Sequence, residues 1–344
     1  MTTRRGLLAS VLAAAIVLGA CTSDEATDDG GIEFDDTGSV VDADEVDEVA
    51  DTDVERGEVV PTTHGDTAAN VDESTSDAVP ADVDEILAEL VDAGFCDPAD
   101  VDDLGLVTAM HFVVQGRIQD PCYVDGADDP RLLDAWGALT AITPTELVSD
   151  VSLVAGFEAC SDCDTLAFVS ALDEEASFFL LAVDVIAGTD DPDELLVTMQ
   201  HELSHVFTQK PGTQLIVGDD DERCTTYHNG TGCFTDESYM AAWIGEFWPD
   251  DQLAELPGGG EPDSDDDAEE RCSLDPAFTG SYAATSPEED FAETFSAFVF
   301  GFELDPAMDD KLAFFEEYPE FVEIRSAAAA AGLDEVANNF EGCG

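Results

Sequence analysis

Two histidines and a glutamate lie close together in the stretch TMQHELSHVFT, residues 198–208. His201 and His205 are four residues apart, so on a helix both imidazole rings lie on one face and can bind the same metal ion. Neutral imidazole nitrogens are standard zinc ligands. Glu202, beside the first histidine, can reach a water at the metal without binding the metal itself. The H-E-x-x-H spacing therefore predicts a zinc site with Glu202 as a general base.

A catalytic zinc ion needs a third protein ligand and one position left open for water. The longer pattern H-E-x-x-H-x-x-G-x-x-H does not occur, because Thr208 and Pro211 stand at its glycine and third-histidine positions. His228 could complete the site, although the surrounding CTTYHNGTGC is typical of a turn closed by a disulfide. A third histidine is therefore the weaker candidate.

The segment YAATSPEEDFAETF, residues 282–295, offers carboxylates instead. Ser286 followed by Pro287 is typical of a helix start, and Glu289 and Glu293 then lie one turn apart on one face. One carboxylate of such a pair can bind the metal, and the second can orient another ligand through a hydrogen bond without binding the metal. Glu289 is also the third residue after the Ser286 cap, where it could close a capping box and leave Glu293 as the ligand. Spacing alone leaves both assignments open.

These two motifs together resemble those of gluzincin-type metallopeptidases. The nearer likeness is to the catalytic domain of the anthrax lethal factor type, in which a helix reading E-x-F-A-E supplies the third ligand. The resemblance covers the two helices and the preceding hairpin, roughly a third of the chain. It implies that Glu289 is the third ligand of one Zn²⁺ ion and that Glu293 orients a ligand without binding the metal. It also implies that Tyr282 stabilises the oxyanion. The implied reaction is hydrolysis of a peptide bond with Glu202 as general base.

Two other functions are compatible with the same residues. A cell-envelope lipoprotein could hold zinc only as a structural ion, but such a site is usually closed by a fourth protein ligand and does not need Glu202. A zinc hydrolase could also act on a cell-wall amide, rather than on a peptide or protein substrate. Hydrolysis of peptide bonds is the function that the sequence favours.

The first 20 residues predict export. The basic pair Arg4 and Arg5 precedes an apolar run that is too short to span a bilayer, as in a signal peptide. Leu-Gly-Ala-Cys at 18–21 resembles the lipobox of bacterial lipoproteins, which implies that Cys21 is acylated. We therefore expect a signal peptide at 1–20 and an extracytoplasmic protein anchored to the cell membrane by lipid. An ordinary cleaved secretory signal is the alternative, and the choice between the Tat and Sec routes stays open.

Eight further cysteines follow Cys21, an even number that is typical of disulfides in an exported protein. The C-x-x-C at 160–163 could instead be half of a metal or redox site, but the chain has no second C-x-x-C to complete a zinc ribbon. Pairing of neighbours in sequence predicts four disulfides: Cys96–Cys122, Cys160–Cys163, Cys224–Cys233 and Cys272–Cys343.

The chain contains 81 acidic and 10 basic residues, with a formal charge of -71. Such a charge destabilises a compact fold unless salt screens it, so we expect a halophilic protein. Nucleic acid is excluded as a partner, because too few basic residues are available to neutralise phosphates. Residues 21–80 are acidic and poor in large apolar side chains, which predicts a disordered tether. A similar composition predicts an acidic surface loop at 256–270.

Residues 81–344 carry enough apolar side chains for one globular domain, which we expect to be monomeric. Two β-rich runs, 165–172 and 176–188, predict a hairpin. In the helix that carries Glu289 and Glu293, we expect Asp290, Glu288 and Thr294 to lie on other faces, in solvent. Apolar residues at helical spacing predict helices at 83–94, 130–142, 191–212, 237–248, 286–301 and 308–333, the last interrupted at Pro319.

The order of these elements predicts the fold class. Strands come first and most helices come later, which favours α+β. By the resemblance, the fold is zincin-like, with a small β-sheet packed against the H-E-x-x-H helix and further helices towards the C-terminus.

Overall fold

The computed structural model describes residues 83–101, 104–123, 128–160, 165–218, 223–257, 262–338, 340 and 342–343. The predicted signal peptide, Cys21 and the acidic tether lie outside the described residues. The described part has an α+β fold with a five-stranded sheet, a separate two-stranded sheet and a set of helices. The predicted fold class is therefore confirmed.

The main sheet consists of β1 (Gly105–Val114), β2 (Arg117–Pro121), β3 (Val151–Ala159), β4 (Ala167–Ala171) and β5 (Phe179–Asp184). Their order in the sheet is β2-β1-β3-β5-β4. Strands β3 and β5 are parallel neighbours, and the other pairs are antiparallel. The predicted hairpin is confirmed as β4 and β5, which places β4 at one edge of the sheet. The small sheet pairs β6 (Leu215–Val217) with β7 (Gly232–Phe234).

The six predicted helices are present with ends shifted by a few residues, and the chain does break before Pro319, where α11 begins. Short helices that were not predicted lie between them. The helices are α1 (Val83–Ala93), α2 (Pro130–Ile142), α3 (Thr145–Val148), α4 (Ala187–Asp190), α5 (Pro192–Thr208), α6 (Tyr239–Phe247), α7 (Asp250–Leu253), α8 (Asp265–Leu274), α9 (Pro287–Phe300), α10 (Asp309–Phe315) and α11 (Pro319–Ala330).

The acidic stretch 256–270 was predicted as a surface loop, and this is wrong for its second half, which begins α8. Ser264 caps this helix, and its hydroxyl accepts a hydrogen bond from the Asp267 N–H at 3.3 Å. Aspartates in the first turn are stabilised by the partial positive charge at a helix N-terminus. Acidic composition is therefore compatible with a helix here. Residues 258–261 lie outside the described part of the chain.

The main sheet is covered on both faces. Helix α1 packs on one face through Val83 and Leu90. Helix α5 packs on the other face, where its apolar residues, such as Met199 and Leu203, join those of β3, β4 and β5 in one core. Each strand of the sheet's centre thus has buried side chains on both faces, and α5 lies next to the edge strand β4.

A cluster of buried aromatic rings joins α5 to α9. The Phe207 ring centroid lies 5.4 Å from that of Phe295 in an edge-on arrangement, and Phe295 lies 5.0 Å from Phe321 of α11. Such pairs each contribute about 0.5–1.5 kcal/mol beyond the area that they bury. The cluster therefore holds α5 and α9 in a fixed relative position, which matters because these two helices carry the candidate ligands.

Three of the predicted disulfides are confirmed: Cys96–Cys122, Cys224–Cys233 and Cys272–Cys343. The fourth involves Cys163, which lies outside the described residues. Disulfides of this kind are compatible with an oxidising, extracytoplasmic compartment. Within the described ranges, every helix is too short or too polar to cross a bilayer.

Candidate metal centre

Helix α5 presents the two histidines towards α9. Its start follows the predicted pattern, because the Asp191 side chain accepts a hydrogen bond from the Glu194 N–H at 3.1 Å and Pro192 occupies the first helical position. His201 and His205 are both buried. Burial of two imidazoles side by side is unusual unless they share a partner.

The partner is a carboxylate of α9. His201 Nε2 lies 3.2 Å from His205 Nε2 and 3.0 Å from Glu289 Oε2, and His205 Nε2 lies 3.6 Å from the same oxygen. Ligands about 2.0–2.1 Å from a tetrahedral zinc ion lie about 3.3 Å from one another, since a tetrahedron's edge is about 1.6 times its centre-to-corner distance. The three atoms therefore have the spacing of three corners of a zinc tetrahedron.

Hydrogen bonding among these three groups does not explain their arrangement. Glu289 Oε2 is buried and has no hydrogen bond of acceptable geometry, although His201 Nε2 is close. The two Nε2 atoms face each other at 3.2 Å and could share only one proton. A cation between the three atoms would accept one lone pair from each of them at once. The residues therefore fit a metal ion better than a hydrogen-bonded cluster.

Glu289 takes part both in the N-terminal cap of α9 and in the cluster with the two histidines. Its backbone N–H donates to Ser286 Oγ at 3.2 Å, while its side chain faces the histidines. Glu293 lies one turn further along, and it accepts a hydrogen bond from Thr279 Oγ1. Within the described residues, His201, His205 and Glu289 make up the one group with the spacing of metal ligands, and Glu293 is outside it.

His228 also lies outside this group. Its Nε2 is 2.9 Å from the Gly218 carbonyl oxygen, and its Nδ1 accepts a hydrogen bond from the Gly230 N–H. It belongs to the turn that the Cys224–Cys233 disulfide closes, as the sequence indicates. The structure therefore does not bring the alternative third histidine to the other two.

The pKa values of the three groups are shifted in different directions. Burial lowers the pKa of His201. Burial also opposes protonation of His205, but the charge of Glu289 outweighs it and raises the pKa of His205 to about 9. Burial raises the pKa of Glu289, but the two histidines outweigh it and hold that pKa far below its usual range. In the metal-free cluster Glu289 is thus an anion and His205 is protonated, so binding of a metal ion would release the His205 proton.

Glu202 is fully buried, and neither of its carboxylate oxygens has a hydrogen-bond partner of acceptable geometry. Burial raises its pKa to about 8, and the His205 charge and the backbone of Val169 on β4 offset part of that rise. Leaving a buried polar group unpaired costs about 1–3 kcal/mol. A carboxyl group held in this way beside the cluster is suited to exchange protons with a water there.

The Tyr282 ring lies beside that of His201, with ring centroids 6.2 Å apart. Tyr282 precedes a 3₁₀ turn, Ala283–Thr285, that leads into α9. Its hydroxyl is buried and makes no hydrogen bond of acceptable geometry with the described residues. Burial raises the pKa of this hydroxyl well above its usual value, so it stays protonated and can donate a hydrogen bond.

The expectation that Asp290, Glu288 and Thr294 face solvent is wrong for Asp290 and Thr294, which are fully buried, whereas Glu288 is partly buried. The Asp290 carboxylate accepts hydrogen bonds from Trp243 Nε1 at 3.1 Å, Trp248 Nε1 at 2.9 Å and Lys311 Nζ at 2.6 Å. Lys311 Nζ in turn lies 4.1 Å from the ring centroid of Phe278. Because α9 is surrounded by other helices, its far face is also buried. Asp290 therefore fixes the first turn of α9 next to Glu289.

Neither a protein-family model nor a curated protein matches the chain. A solved structure that does match is that of a Bacteroides caccae ATCC 43185 protein, assigned provisionally as a zinc-binding metallo-peptidase. The match covers 60% of this chain and 75% of that chain, with 15% identity and a TM-score of 0.30. A likeness of this quality carries no argument about the metal centre.

Proposed function

We propose that the protein is a zinc metallopeptidase of the gluzincin type, in which His201, His205 and Glu289 bind one Zn²⁺ ion. The observation that carries this proposal is the triangle formed by their three buried atoms, whose edges of 3.0, 3.2 and 3.6 Å suit a tetrahedral zinc ion. Two imidazoles and one carboxylate are also a ligand set that zinc accepts in hydrolases.

Bound zinc supplies Lewis acidity, which lowers the pKa of water towards neutrality and polarises a peptide carbonyl group. Glu202 takes the proton from the attacking water, because a nearby cation favours the ionised form of its otherwise neutral carboxyl group. Tyr282 donates a hydrogen bond to the carbonyl oxygen as negative charge develops there. Glu202 then returns the proton to the leaving amine.

A catalytic ion is favoured over a structural one. A structural zinc site is usually closed by four protein ligands, and the group within the described residues has three. Glu202 adds a buried carboxyl group with two unpaired oxygens, which destabilises the fold and does nothing for a structural ion. The same carboxyl group is needed for hydrolysis.

The proposal extends to the cellular setting. We place the protein outside the cytoplasm, anchored to the cell membrane by a lipid on Cys21 and connected by the acidic tether of residues 21–80. The disulfides of the described part support an oxidising compartment. The formal charge of -71 supports a salt-rich habitat, because dissolved ions would screen the self-repulsion.

The test is to incubate the zinc-loaded protein with a peptide library and, in parallel, with a peptidoglycan preparation. Cleavage of peptides that stops on chelation and returns with added zinc is the expected result. Release of products from peptidoglycan alone would identify a cell-wall amidase instead. Tight zinc binding without cleavage of either substrate would indicate a structural ion and contradict the proposal.

A further inference from the structure

The Tyr282 hydroxyl is in a position that needs support from the rest of the fold. It is buried and makes no hydrogen bond of acceptable geometry with the described residues. An unpaired buried hydroxyl costs about 1–3 kcal/mol, so a freely moving turn would rotate it towards water. The contacts that hold this turn are therefore part of what places the hydroxyl beside the metal centre.

Arg271 of α8 holds the turn that follows Tyr282. Its guanidinium group is buried, with Nη1 donating to the Ala284 carbonyl oxygen and Nη2 donating to Asp263 Oδ2 at 2.7 Å. The backbone N–H of Asp263 donates to the Thr285 carbonyl oxygen at 2.9 Å. Arg271 and Asp263 thus bind two successive carbonyl groups of the 3₁₀ turn.

Other contacts hold the residues before Tyr282. The Thr279 hydroxyl donates to the Glu293 carboxylate, and the Gly342 N–H donates to the Thr279 carbonyl oxygen at 2.8 Å. Cys272 of α8 and Cys343, beside Gly342, form a disulfide. Helix α8 and the C-terminal segment are therefore linked covalently, and both contact the segment that carries Tyr282.

We propose that Arg271 is a positioning residue for Tyr282, and this inference rests on the proposed peptidase function. A guanidinium group has donors in two directions, so it can bind the Ala284 carbonyl and the Asp263 carboxylate together, which a single ammonium group cannot do in the same geometry. Its charge is compensated by Asp263 and by the Trp248 ring, whose centroid lies 5.6 Å away. Burial of this guanidinium therefore serves the geometry of the Tyr282 turn.

The role predicts a specific kinetic effect. The candidate zinc ligands lie on α5 and α9, whereas the hydrogen bonds of Arg271 go to Ala284 and Asp263. Tyr282 acts on the charge that develops in the transition state, so misplacing it lowers kcat and leaves zinc affinity and KM unchanged. A general loss of folding would instead lower zinc content as well.

The first test compares Arg271→Gln with Arg325→Gln. Both changes remove one positive charge, and Arg325 also combines an acidic partner, Glu316, with an aromatic ring, that of Phe298. We expect Arg271→Gln to lower kcat by about 10- to 100-fold at unchanged KM and zinc content, as for a catalytic group displaced by an ångström or less. Arg325→Gln should match the wild type. Equal losses in both variants would contradict the positioning role.

A double mutant sharpens this result. In a Tyr282→Phe background no hydroxyl is left to position, so adding Arg271→Gln should have no further effect on kcat. If the two losses multiply instead, Arg271 acts independently of Tyr282 and the inference is wrong. Arg271→Lys, which keeps the charge but not the two-directional donor set, should retain part of the activity.

A spectroscopic test does not depend on the proposed reaction. The chain has five tyrosines, so the ¹⁹F spectrum of protein labelled with 3-fluorotyrosine is simple, and the Tyr282 resonance is the one that Tyr282→Phe removes. Arg271→Gln should move this resonance, and Arg325→Gln should not. If Arg271→Gln fails to fold, Asp263→Asn weakens the same contact and should move it in the same way. An unmoved Tyr282 resonance would overturn the positioning role, whereas a moved resonance in a protein without peptidase activity would overturn only the proposed function.

Discussion

Glu289 Oε2 lies 3.0 Å from His201 Nε2, although 88 residues separate the two in the sequence. Neither atom reaches this position by local structure alone. The first turn of α9 is held by the Ser286 cap and by the Asp290 carboxylate, and the aromatic cluster fixes α9 against α5. The metal centre is thus a product of helix packing.

The two glutamates of α9 should differ in their effect on zinc. Glu289→Gln removes the anionic member of the triangle, whereas Glu293→Gln alters a group that contacts Thr279. Changes to groups that orient metal ligands lower the metal affinity by about 10- to 100-fold. The loss of zinc affinity in Glu293→Gln should therefore be no larger than this, and the loss in Glu289→Gln should be larger. Competition with a zinc-sensitive dye measures both. A larger loss for Glu293→Gln would make Glu293 the ligand.

The two lysines of the chain should differ in their effect on stability. Lys311 is buried against Asp290, and Lys210 forms a half-exposed pair with Asp150. Lys311→Met leaves a buried carboxylate without its cation and should lower the free energy of unfolding by about 3–5 kcal/mol. Lys210→Met should cost about 1 kcal/mol or less.

Chemical denaturation of both variants measures these differences. The double variant Asp290→Asn with Lys311→Met removes the unpaired charge and should recover much of the loss. Equal stability of Lys311→Met and Lys210→Met would show that the buried pair does not stabilise α9.

The metal-free protein should show a pH-dependent stability that originates in Glu202. Burial raises the pKa of this carboxyl group from 4.5 to about 8 in the folded state, so unfolding between these values releases a proton. Its contribution to stability is greatest below about pH 4.5 and is lost as the pH rises towards 8. Glu202→Gln lacks this dependence. The Tm of the metal-free variant should therefore exceed that of the wild type by an amount that grows from pH 5 to pH 8, and a constant difference would contradict the burial of an unpaired carboxyl group.

Salt should stabilise the protein. The formal charge of -71 makes self-repulsion a large unfavourable term at low ionic strength, where the screening length is about 30 Å at 0.01 M but about 3 Å at 1 M. We expect the Tm to rise steadily between these concentrations of KCl or NaCl. Sucrose at matched osmolality is the control for general solute effects. A Tm that falls or stays level with salt would contradict the proposed salt-rich habitat.

The helices of the metal centre could be predicted from the sequence because their signals are local. Asp191 and Ser286 are caps at the expected distance from the first helical residues, and the apolar stripe of α5 has helical spacing. The pairing of His201 with His205 follows from the same spacing. The resemblance implied Glu289 rather than Glu293, but spacing left both open, because the packing of α9 against α5 decides which carboxylate lies beside the histidines.

Other parts of the fold could not be predicted because their causes are distant in sequence. Strands β1 and β3 are buried on both faces, so they lack the alternation of apolar and polar residues that marks a half-buried strand. Asp290 was expected in solvent because its partner Lys311 belongs to a later helix. The acidic composition of α8 led to the prediction of a loop. Its Ser264 cap is a local signal that indicates a helix.

The most direct measurement compares zinc content and peptide hydrolysis in the wild type and in Glu202→Gln. Glutamine keeps the size of the side chain but cannot accept the proton of the attacking water, so the variant should bind one zinc ion per chain and lose hydrolysis by about 100-fold or more. Zinc content is measured by elemental analysis and hydrolysis by cleavage of a fluorogenic peptide mixture. A variant that keeps its zinc and still cleaves peptides at the wild-type rate would contradict the role of Glu202 and, with it, the proposed mechanism.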